Sequence, residues 1–329
     1  MRKTSVQKLA FLSLISVIIL VFIGAIVRVT GAGLGCPDWP KCWGELIPPW
    51  KVEQVDPASF SDRKLKTFKR KAERLGRDPD LVTRESLKDD FNPVHTWTEF
   101  INRLFALPVT ISSLALMIVG WRRKNLPRRV RKCAVMSFGL VIVNALLGAA
   151  VVFSGLNTGV ITAHLVAAFV LLLLLTFVVW AGVEKGTRLK SIDGASRAQV
   201  GILLAVVLIE GLLGAQIREM TDDLQMKFGT DSRAIWIIQI EDSIVFLIHR
   251  SFSWVIFGAA LFAGWKVKWR GLVPRSILVI VFAFMLMGLF FSYVQINAVV
   301  QVLHVGLASV LVSLVFYWWL AANQGGQRA

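Results

Sequence analysis

Histidine and cysteine are scarce in this chain, whose 329 residues include four histidines and three cysteines. So few cysteines exclude a scaffold stapled by many disulfides. Three of the histidines, His164, His249 and His304, lie just inside long apolar runs. Imidazoles carried at matched depth on different helices of a bundle are suited to binding the iron of a heme from both faces. The sequence therefore predicts a membrane heme protein.

Three pairs of segments match between the first and second halves of the chain. They are Gly148–His164 with Gly288–His304, residues 101–105 with 248–252, and residues 24–28 with 214–218. The glycine and the histidine are sixteen residues apart in both halves. This internal repeat predicts two equivalent heme sites, one in each half.

Long apolar runs predict an all-α integral membrane protein with eight transmembrane helices. About 20 helical residues cross the hydrocarbon core, and a helix satisfies its own backbone hydrogen bonds in lipid, whereas an open sheet does not. The eight runs are residues 9–29, 99–120, 133–153, 160–183, 199–217, 244–265, 275–293 and 299–322. The first run continues into a segment with a counterpart in the second half, so we expect a membrane helix and not a cleaved signal peptide.

Two connections between these runs carry no charge, and this absence sets the orientation. Residues 154–159 and 292–298 are uncharged, whereas the connections on the other side are basic. The basic positions include Arg2, Lys3, Lys8, residues 121–132, Lys185, Arg188, Lys190, Arg197, Lys266, Lys268, Arg270 and Arg275. The positive-inside rule then places both termini in the cytoplasm. We expect a multi-pass protein of the inner (plasma) membrane. Because the basic residues are spread over alternate loops, we do not expect nucleic acid binding.

Each half crosses the membrane an even number of times, so both halves must point the same way. We predict two parallel-repeat four-helix bundles related by an axis along the membrane normal. The first occupies residues 1–190 and the second residues 191–329, with the boundary near Asp193. Residues 30–95 depart from the repeat and are highly charged in part. We expect this extracytoplasmic segment to be a partly helical, solvated cap.

The motif GAGLGCPDWPKCWG opens that segment. Cys36 and Cys42 are separated by five residues that include two prolines, and both lie on the outer, oxidising side. We expect a disulfide between them, structural or redox-active. Two free thiols or a pair of soft metal ligands are the alternatives. Cys133 begins the third run on the cytoplasmic side, too far away to pair.

Five motifs together resemble the heme A synthase family over essentially the whole chain. They are GAGLGCPDWPKCWG, WTEFINR, TAHLVA, FLIHRSF and VLHVGLAS. The resemblance implies an oxidoreductase that converts the C8 methyl of heme O to the formyl group of heme A, for terminal cytochrome oxidases. It also implies a permanent heme b between His249 and His304, and a substrate heme in the N-terminal half beside His164 and Glu99. The family's outer cysteine pair corresponds to Cys36 and Cys42.

One position departs from the family's usual E-x-x-H-R pattern, because Asn102 stands where the histidine is expected. Asparagine is a poor iron ligand, so we expect the substrate heme to have one firm protein ligand, His164. The opposite face would be open, bound by water or hydrogen-bonded by the amide. His95 lies about 10 Å along the helix from Asn102, and a propionate or solvent suits it better than iron.

The repeat also distinguishes the two sites, because Glu99 aligns with Phe246. Only the N-terminal half therefore places a carboxylate one helical turn from the ligand position. Proton-coupled oxidation needs an acid or base near the reacting carbon, with water supplying the oxygen. We predict that Glu99 is the catalytic carboxylate. The alternative is an interfacial residue that pairs with Arg103 at i+4.

Four arginines recur in register near the outer ends of the helices. They are Arg28, Arg103, Arg218 and Arg250. We expect them to bind heme propionates, with snorkelling to the interface as the alternative. Glu210 lies inside the fifth run, where charge is costly and function is the default expectation. It could be protonated, or it could pair with Gln216 or Arg218.

The expected partners are heme O, an electron acceptor outside the chain, the lipid bilayer and heme O synthase, and the pattern leaves room for a homo-oligomer. Two other functions compete with heme A synthesis. A non-catalytic heme-binding membrane cytochrome that carries electrons is supported by Asn102. A transporter or assembly factor without redox chemistry does not explain the paired histidines.

Overall fold

The computed structural model describes residues 4–74, 76, 78–182, 197–228, 233–294 and 297–322. The predicted boundary between the halves, at 190/191 near Asp193, lies outside these residues. So do the predicted basic positions Arg2, Lys3, Lys185, Arg188 and Lys190.

Within the described residues the chain forms α-helices and no β-strand, which confirms the predicted all-α class. The helices are α1 (Ser5–Val29), α2 (Asp62–Arg74), α3 (Arg84–Asp89), α4 (Pro93–Arg122), α5 (Arg128–Phe153), α6 (Thr158–Ala181), α7 (Arg197–Phe228), α8 (Arg233–Glu241), α9 (Ile244–Lys266), α10 (Leu272–Tyr293) and α11 (Ala298–Ala321). All except α2, α3 and α8 are long and apolar enough to cross a membrane. The predicted eight spans are thereby confirmed.

Two of these helices extend beyond their apolar runs. The side chain of Asn92 accepts hydrogen bonds from the backbone N–H groups of Val94 and His95, so α4 begins at Pro93, well before the run at 99. Helix α7 extends at its C-terminal end beyond the predicted end at 217. Within this extension Arg218 and Asp222, one turn apart, form an ion pair. Their Nη2 and Oδ1 atoms lie 2.5 Å apart.

The helices that carry His164 and His304 begin in the same way. Asn157 caps α6 and Asn297 caps α11, and each asparagine side chain accepts from the backbone N–H groups two and three residues ahead. Each histidine is the seventh residue of its helix. The matched caps therefore place the two imidazoles at equal distances from their helix starts.

Helices of each half pack in the same order. In the first half α1 packs against α4, α4 against α5, α5 against α6 and α6 against α1, and α7, α9, α10 and α11 repeat this order in the second half. The halves meet where α11 lies against α1 and α6, around a core that includes Leu175, Val315 and Trp318. Gly306 faces the Phe22 ring there, which leaves no room for a Cβ atom. The division into two parallel-repeat bundles stays a prediction.

Residues 30–92, which we call the cap segment, have a small core of their own. Trp43, Phe60, Phe68 and Leu87 are buried together with Cys36 and Cys42. The rings of Trp43 and Phe60 lie 5.7 Å apart between centres. Helices α2 and α3 agree with the partly helical cap that we expected. The cap is therefore a folded layer with an apolar interior beneath its charged surface.

Lys64 on α2 is buried in this layer. Its Nζ lies 3.6 Å from the centre of the Phe60 ring, 4.6 Å from that of the Trp43 ring and 4.0 Å from Asp38 Oδ1. Burial lowers the pKa of Lys64 to about 8, although the nearby carboxylate of Asp38 acts in the opposite direction. Folding of the cap thus weakens proton binding by this amine relative to the unfolded chain.

The cap should become more stable as the pH rises from about 8 to 10.5, because in that window the unfolded segment binds more protons than the folded one. Each unit of pKa difference corresponds to about 1.4 kcal/mol. We expect subtilisin to cleave the cap more slowly at pH 9.5 than at pH 7.5, relative to a Lys64→Met variant measured at the same two pH values.

Lys66→Met is the matched control, because Lys66 is an exposed lysine on the same helix. It should retain the pH dependence of the native chain. Equal pH dependence in the native chain and in Lys64→Met would show that Lys64 does not destabilise the folded cap.

Candidate functional site

In the C-terminal half, two predicted iron ligands face each other. His249 on α9 and His304 on α11 have ring centres 6.3 Å apart, with 61° between the ring planes. The rings of Phe284 and Phe291 lie against His304 at 4.8 and 5.6 Å between centres. Aromatic side chains thus enclose one side of the imidazole pair.

The spacing of this pair fits a single iron held between two imidazoles. A metal–imidazole bond is about 2 Å long, and an imidazole nitrogen lies about 1.1 Å from its ring centre, so two rings on opposite sides of one metal have centres about 6 Å apart. Gly214 lets α7 approach the ring closely, since a Cβ atom there would lie 3.3 Å from His249 Cε1. The residues present therefore fit a heme.

In the N-terminal half, glycines also lie beside the predicted ligand positions, although Gly288, the counterpart of Gly148, has no heavy atom within 4 Å of a built Cβ. A Cβ atom on Gly24 would lie 3.9 Å from Asn102 Oδ1, just as one on Gly214 would face His249. Gly148 stands in the same relation to His164, with 3.6 Å to Cε1. Among the described residues, nothing forms a hydrogen bond with the buried Asn102 Oδ1 or His164 Nδ1. His249 Nδ1 and His304 Nδ1 share this property in the C-terminal half, so each of the four predicted ligand positions carries a buried polar atom without a hydrogen-bond partner among the described residues.

Glu99 on α4 is buried and held from two sides. Its Oε2 accepts from the backbone N–H of Cys36 at 2.7 Å, and its Oε1 pairs with Arg103 Nη2 at 2.5 Å. The i+4 ion pair, which the sequence offered only as an alternative role, is therefore present. Arg103 also donates to the carbonyl oxygens of Cys36, Asp38 and Lys41 at 2.8 to 3.0 Å.

The loop that contains the cysteines docks on the first turns of α4. Cys36 and Cys42 are joined, which confirms the predicted disulfide. The Trp43 indole N–H donates to Gly35 O at 2.6 Å, and Thr96 Oγ1 donates to the same oxygen at 2.9 Å. Gly35 lies so close to the α4 backbone at His95 that a Cβ atom would overlap it. A glycine at position 35 is therefore needed for that approach.

The repeat-related arginines Arg28 and Arg218 meet at one carboxylate. Both pair with Asp222, and Arg28 Nε donates to Asp222 Oδ2 at 3.0 Å. Arg218 also donates to Gln301 and, at 2.9 Å, to the Arg28 carbonyl oxygen. These contacts join α1, α7 and α11, so the cluster links the two halves.

Arg250, by contrast, is exposed, with its guanidinium carbon 5.9 Å from the centre of the Phe246 ring. The propionate-binding role stays a prediction for all four arginines. Asp222 and Gln301 were missed as site residues. The spacing of Asp222 four residues after Arg218 is the sequence signal that could have found the pair.

Two glutamates of α7 make side-chain contacts inside the helix bundle. Glu210 Oε1 lies 3.1 Å from His249 Nδ1 and accepts from Ser253 Oγ at 2.9 Å. This contact differs from the predicted pairing with Gln216 or Arg218, because Glu210 lies two turns below Arg218 and faces α9. Glu219 accepts from Thr162 Oγ1 at 3.1 Å.

Comparison with known proteins identifies the family. The family model COX15-CtaA, described as "Cytochrome oxidase assembly protein", matches residues 7–316. The chain belongs to this family. The resemblance predicted from the five motifs is therefore confirmed.

Three curated relatives carry the name "Heme A synthase". The chain is 26% identical to that of Shewanella oneidensis over 166 residues, which cover 50% of this chain and 42% of the relative. It is 21% identical to that of Staphylococcus aureus (strain bovine RF122) over 266 residues, which cover 76% and 72%. The protein of Shouchella clausii is 28% identical over 160 residues, which cover 48% and 39%. The match thus spans less than half the length of two of these relatives.

Alkylation of the unreduced, denatured protein followed by mass measurement should modify one thiol, that of Cys133. Reduction before alkylation should add the thiols of Cys36 and Cys42, for a total of three. Three modified thiols in freshly prepared, unreduced protein would contradict the disulfide. A Cys133→Ala variant provides the control, because its unreduced form should take up no label.

Proposed function

We propose that the chain is a heme A synthase, an oxidoreductase that oxidises the C8 methyl of heme O to a formyl group. Membership of the COX15-CtaA family and relatives named "Heme A synthase" support heme A biosynthesis. The observation that carries the assignment to this chain is the pair of imidazoles spaced for one iron in one half, beside a half that has a buried carboxylate and a single histidine. Neither feature is expected of a transporter without redox chemistry.

His249 and His304 would hold a permanent heme b in the C-terminal half. A heme b held in this way supplies one-electron redox chemistry, and two strong nitrogen ligands suit electron transfer. Phe246 occupies the position in this half that corresponds to Glu99, so this half has no carboxylate at that position. Electrons would leave for an acceptor outside the chain.

Glu99 would act on the substrate heme in the N-terminal half, where His164 is the iron ligand. Conversion of a methyl to a formyl group adds one oxygen atom, which we assign to water, and releases protons and electrons. Glu99 would accept protons or stabilise positive charge that develops at the methyl carbon. Its two hydrogen bonds, from Cys36 N–H and Arg103, hold the carboxylate in one orientation. Asn102 would leave the second face of the iron without a strong ligand.

The same sites would also suit a non-catalytic membrane cytochrome, and Asn102 is the residue that favours this second function. The two functions differ in their product, because only the first yields heme A. Mass analysis of hemes extracted from a host that makes heme O, with and without this chain, separates them. Heme A should appear only when the chain is present.

The proposed setting is the plasma membrane, with both termini in the cytoplasm and the cap segment outside. The uncharged connections at 154–159 and 292–298 share the side of the cap, as the positive-inside rule requires. Heme O synthase is the proposed source of substrate. Exposed Arg250 is the best placed of the four arginines to bind a heme propionate.

Replacing either His249 or His304 by alanine should abolish the low-spin bis-histidine spectrum of the purified protein, because one strong ligand cannot keep the iron low-spin. The measurement is the optical and EPR spectrum of the reduced and oxidised protein. His95→Ala is the control and should leave this spectrum unchanged. A bis-histidine spectrum that persists in both variants would show that the ligands lie elsewhere.

Glu99→Ala and Glu99→Gln should both stop heme A formation, with a loss of at least about 100-fold as expected for removal of an acid–base group. The glutamine variant retains an oxygen that can accept from Cys36 N–H, so it separates loss of the carboxylate from loss of the cap contact. The heme b spectrum should stay intact in both. Asn102→His restores the usual family motif and should be tolerated. Normal heme A yield from Glu99→Gln would remove Glu99 from the mechanism.

A further inference from the structure

The carboxylate of Glu210 on α7 lies beside a predicted iron ligand. Its Oε1 lies 3.1 Å from Nδ1 of His249, and Ser253 Oγ donates to the same oxygen at 2.9 Å. The side chains of Glu210 and His249 are 12% and 19% exposed, so water competes little for this contact. The carboxylate is therefore held between a serine hydroxyl and the imidazole.

This contact selects one side of the imidazole ring. An Nδ1–H can donate to a carboxylate oxygen, and the remaining nitrogen, Nε2, then carries the free electron pair. Nε2 would then be the nitrogen available to an iron. Protein carboxylates bound to the far nitrogen of a metal-binding histidine fix its tautomer and orientation and make it a more electron-rich ligand.

The free-energy cost of placing a carboxylate inside a membrane helix argues against a purely structural role for Glu210. A carboxylate in the middle of a membrane helix costs about 2.5 to 3.5 kcal/mol on the insertion scale. The position that corresponds to Glu210 in the first half is Leu20, which packs in the apolar core. The same helix position thus needs no polar group for packing. Its carboxylate stands in the half with two imidazoles and is absent from the half with Asn102.

We propose that Glu210 is a positioning residue for His249 that lowers the reduction potential of the heme in the C-terminal half. This inference rests on the proposed heme site at His249 and His304. A negative charge 3.1 Å from Nδ1 increases electron donation by the imidazole and stabilises the oxidised iron. The hydrogen bond from Ser253 Oγ holds Glu210 Oε1 in place.

The test is redox titration of the purified full-length holoprotein for the native chain, Glu210→Gln and Glu210→Leu. Glutamine removes the charge and retains an oxygen acceptor, whereas leucine reproduces the first half. We expect at least a tenfold shift toward the reduced form at a given potential in Glu210→Gln, which equals about 59 mV for one electron. The shift in Glu210→Leu should be as large or larger. Glu219→Gln, which removes the other glutamate contact on α7, is the matched control and should leave the potential unchanged.

A second measurement on the same preparations separates this inference from the proposed function. Nuclear magnetic resonance of protein labelled with nitrogen-15 at its four histidines reports the Nδ1–H proton of His249, assigned with a His249→Ala variant. We expect a strongly downfield signal in the native chain that moves upfield in Glu210→Leu but not in Glu219→Gln. This signal is measurable whether or not heme is bound.

The outcomes therefore differ. Unchanged potentials in both Glu210 variants, or an equal shift in Glu219→Gln, would overturn the tuning role. A native chain without a downfield His249 signal would overturn the proposed donation from Nδ1–H to Glu210. A downfield signal in protein that binds no heme would support the contact and refute the proposed heme site. Loss of the heme from Glu210→Leu with retention in Glu210→Gln would support the positioning role.

Discussion

A charge inside an apolar helix bundle must find its partner within the protein, and the arrangement of this chain depends on that constraint. Hydrocarbon offers no hydrogen bonds, and each uncompensated charge at its centre costs about 2.5 to 3.5 kcal/mol. Three carboxylates of the described spans meet this requirement in different ways. Glu99 pairs with Arg103, Asp222 with Arg28 and Arg218, and Glu210 with His249 and Ser253. Each pairing also positions another part of the molecule.

The Glu99 and Arg103 pair positions the cap segment. Because Arg103 donates to three carbonyl oxygens of the disulfide-bonded loop and Glu99 accepts from Cys36 N–H, the loop is fixed to α4 through the proposed catalytic residue. The Asp222 cluster works in the same way between the halves, since it brings α1, α7 and α11 together. Function and architecture therefore share the same few charged groups.

The sequence could predict the features that depend on local pattern. Apolar runs of membrane length predicted the eight spans, and the two prolines and the oxidising side predicted the Cys36–Cys42 bond. The partners of charged residues were not predictable in this way. Arg28 meets Asp222 across 194 positions of the chain, and helix rotation decides whether Glu210 faces Arg218 or His249. Such contacts depend on tertiary packing, which the spacing of apolar residues along the chain does not predict.

Both halves have a carboxylate near the same ligand position, but on different helices. In the N-terminal half it is Glu99, on the helix of Asn102 itself and facing the cap, whereas in the C-terminal half it is Glu210, on the neighbouring helix and against the far nitrogen of His249. A carboxylate beside the reacting group can exchange protons with substrate, and one behind a ligand can only act through that ligand. Under the proposed function, the two halves thus have different roles because different helices carry the carboxylate. The N-terminal site would receive protons, and the C-terminal site would control the energy of the electrons.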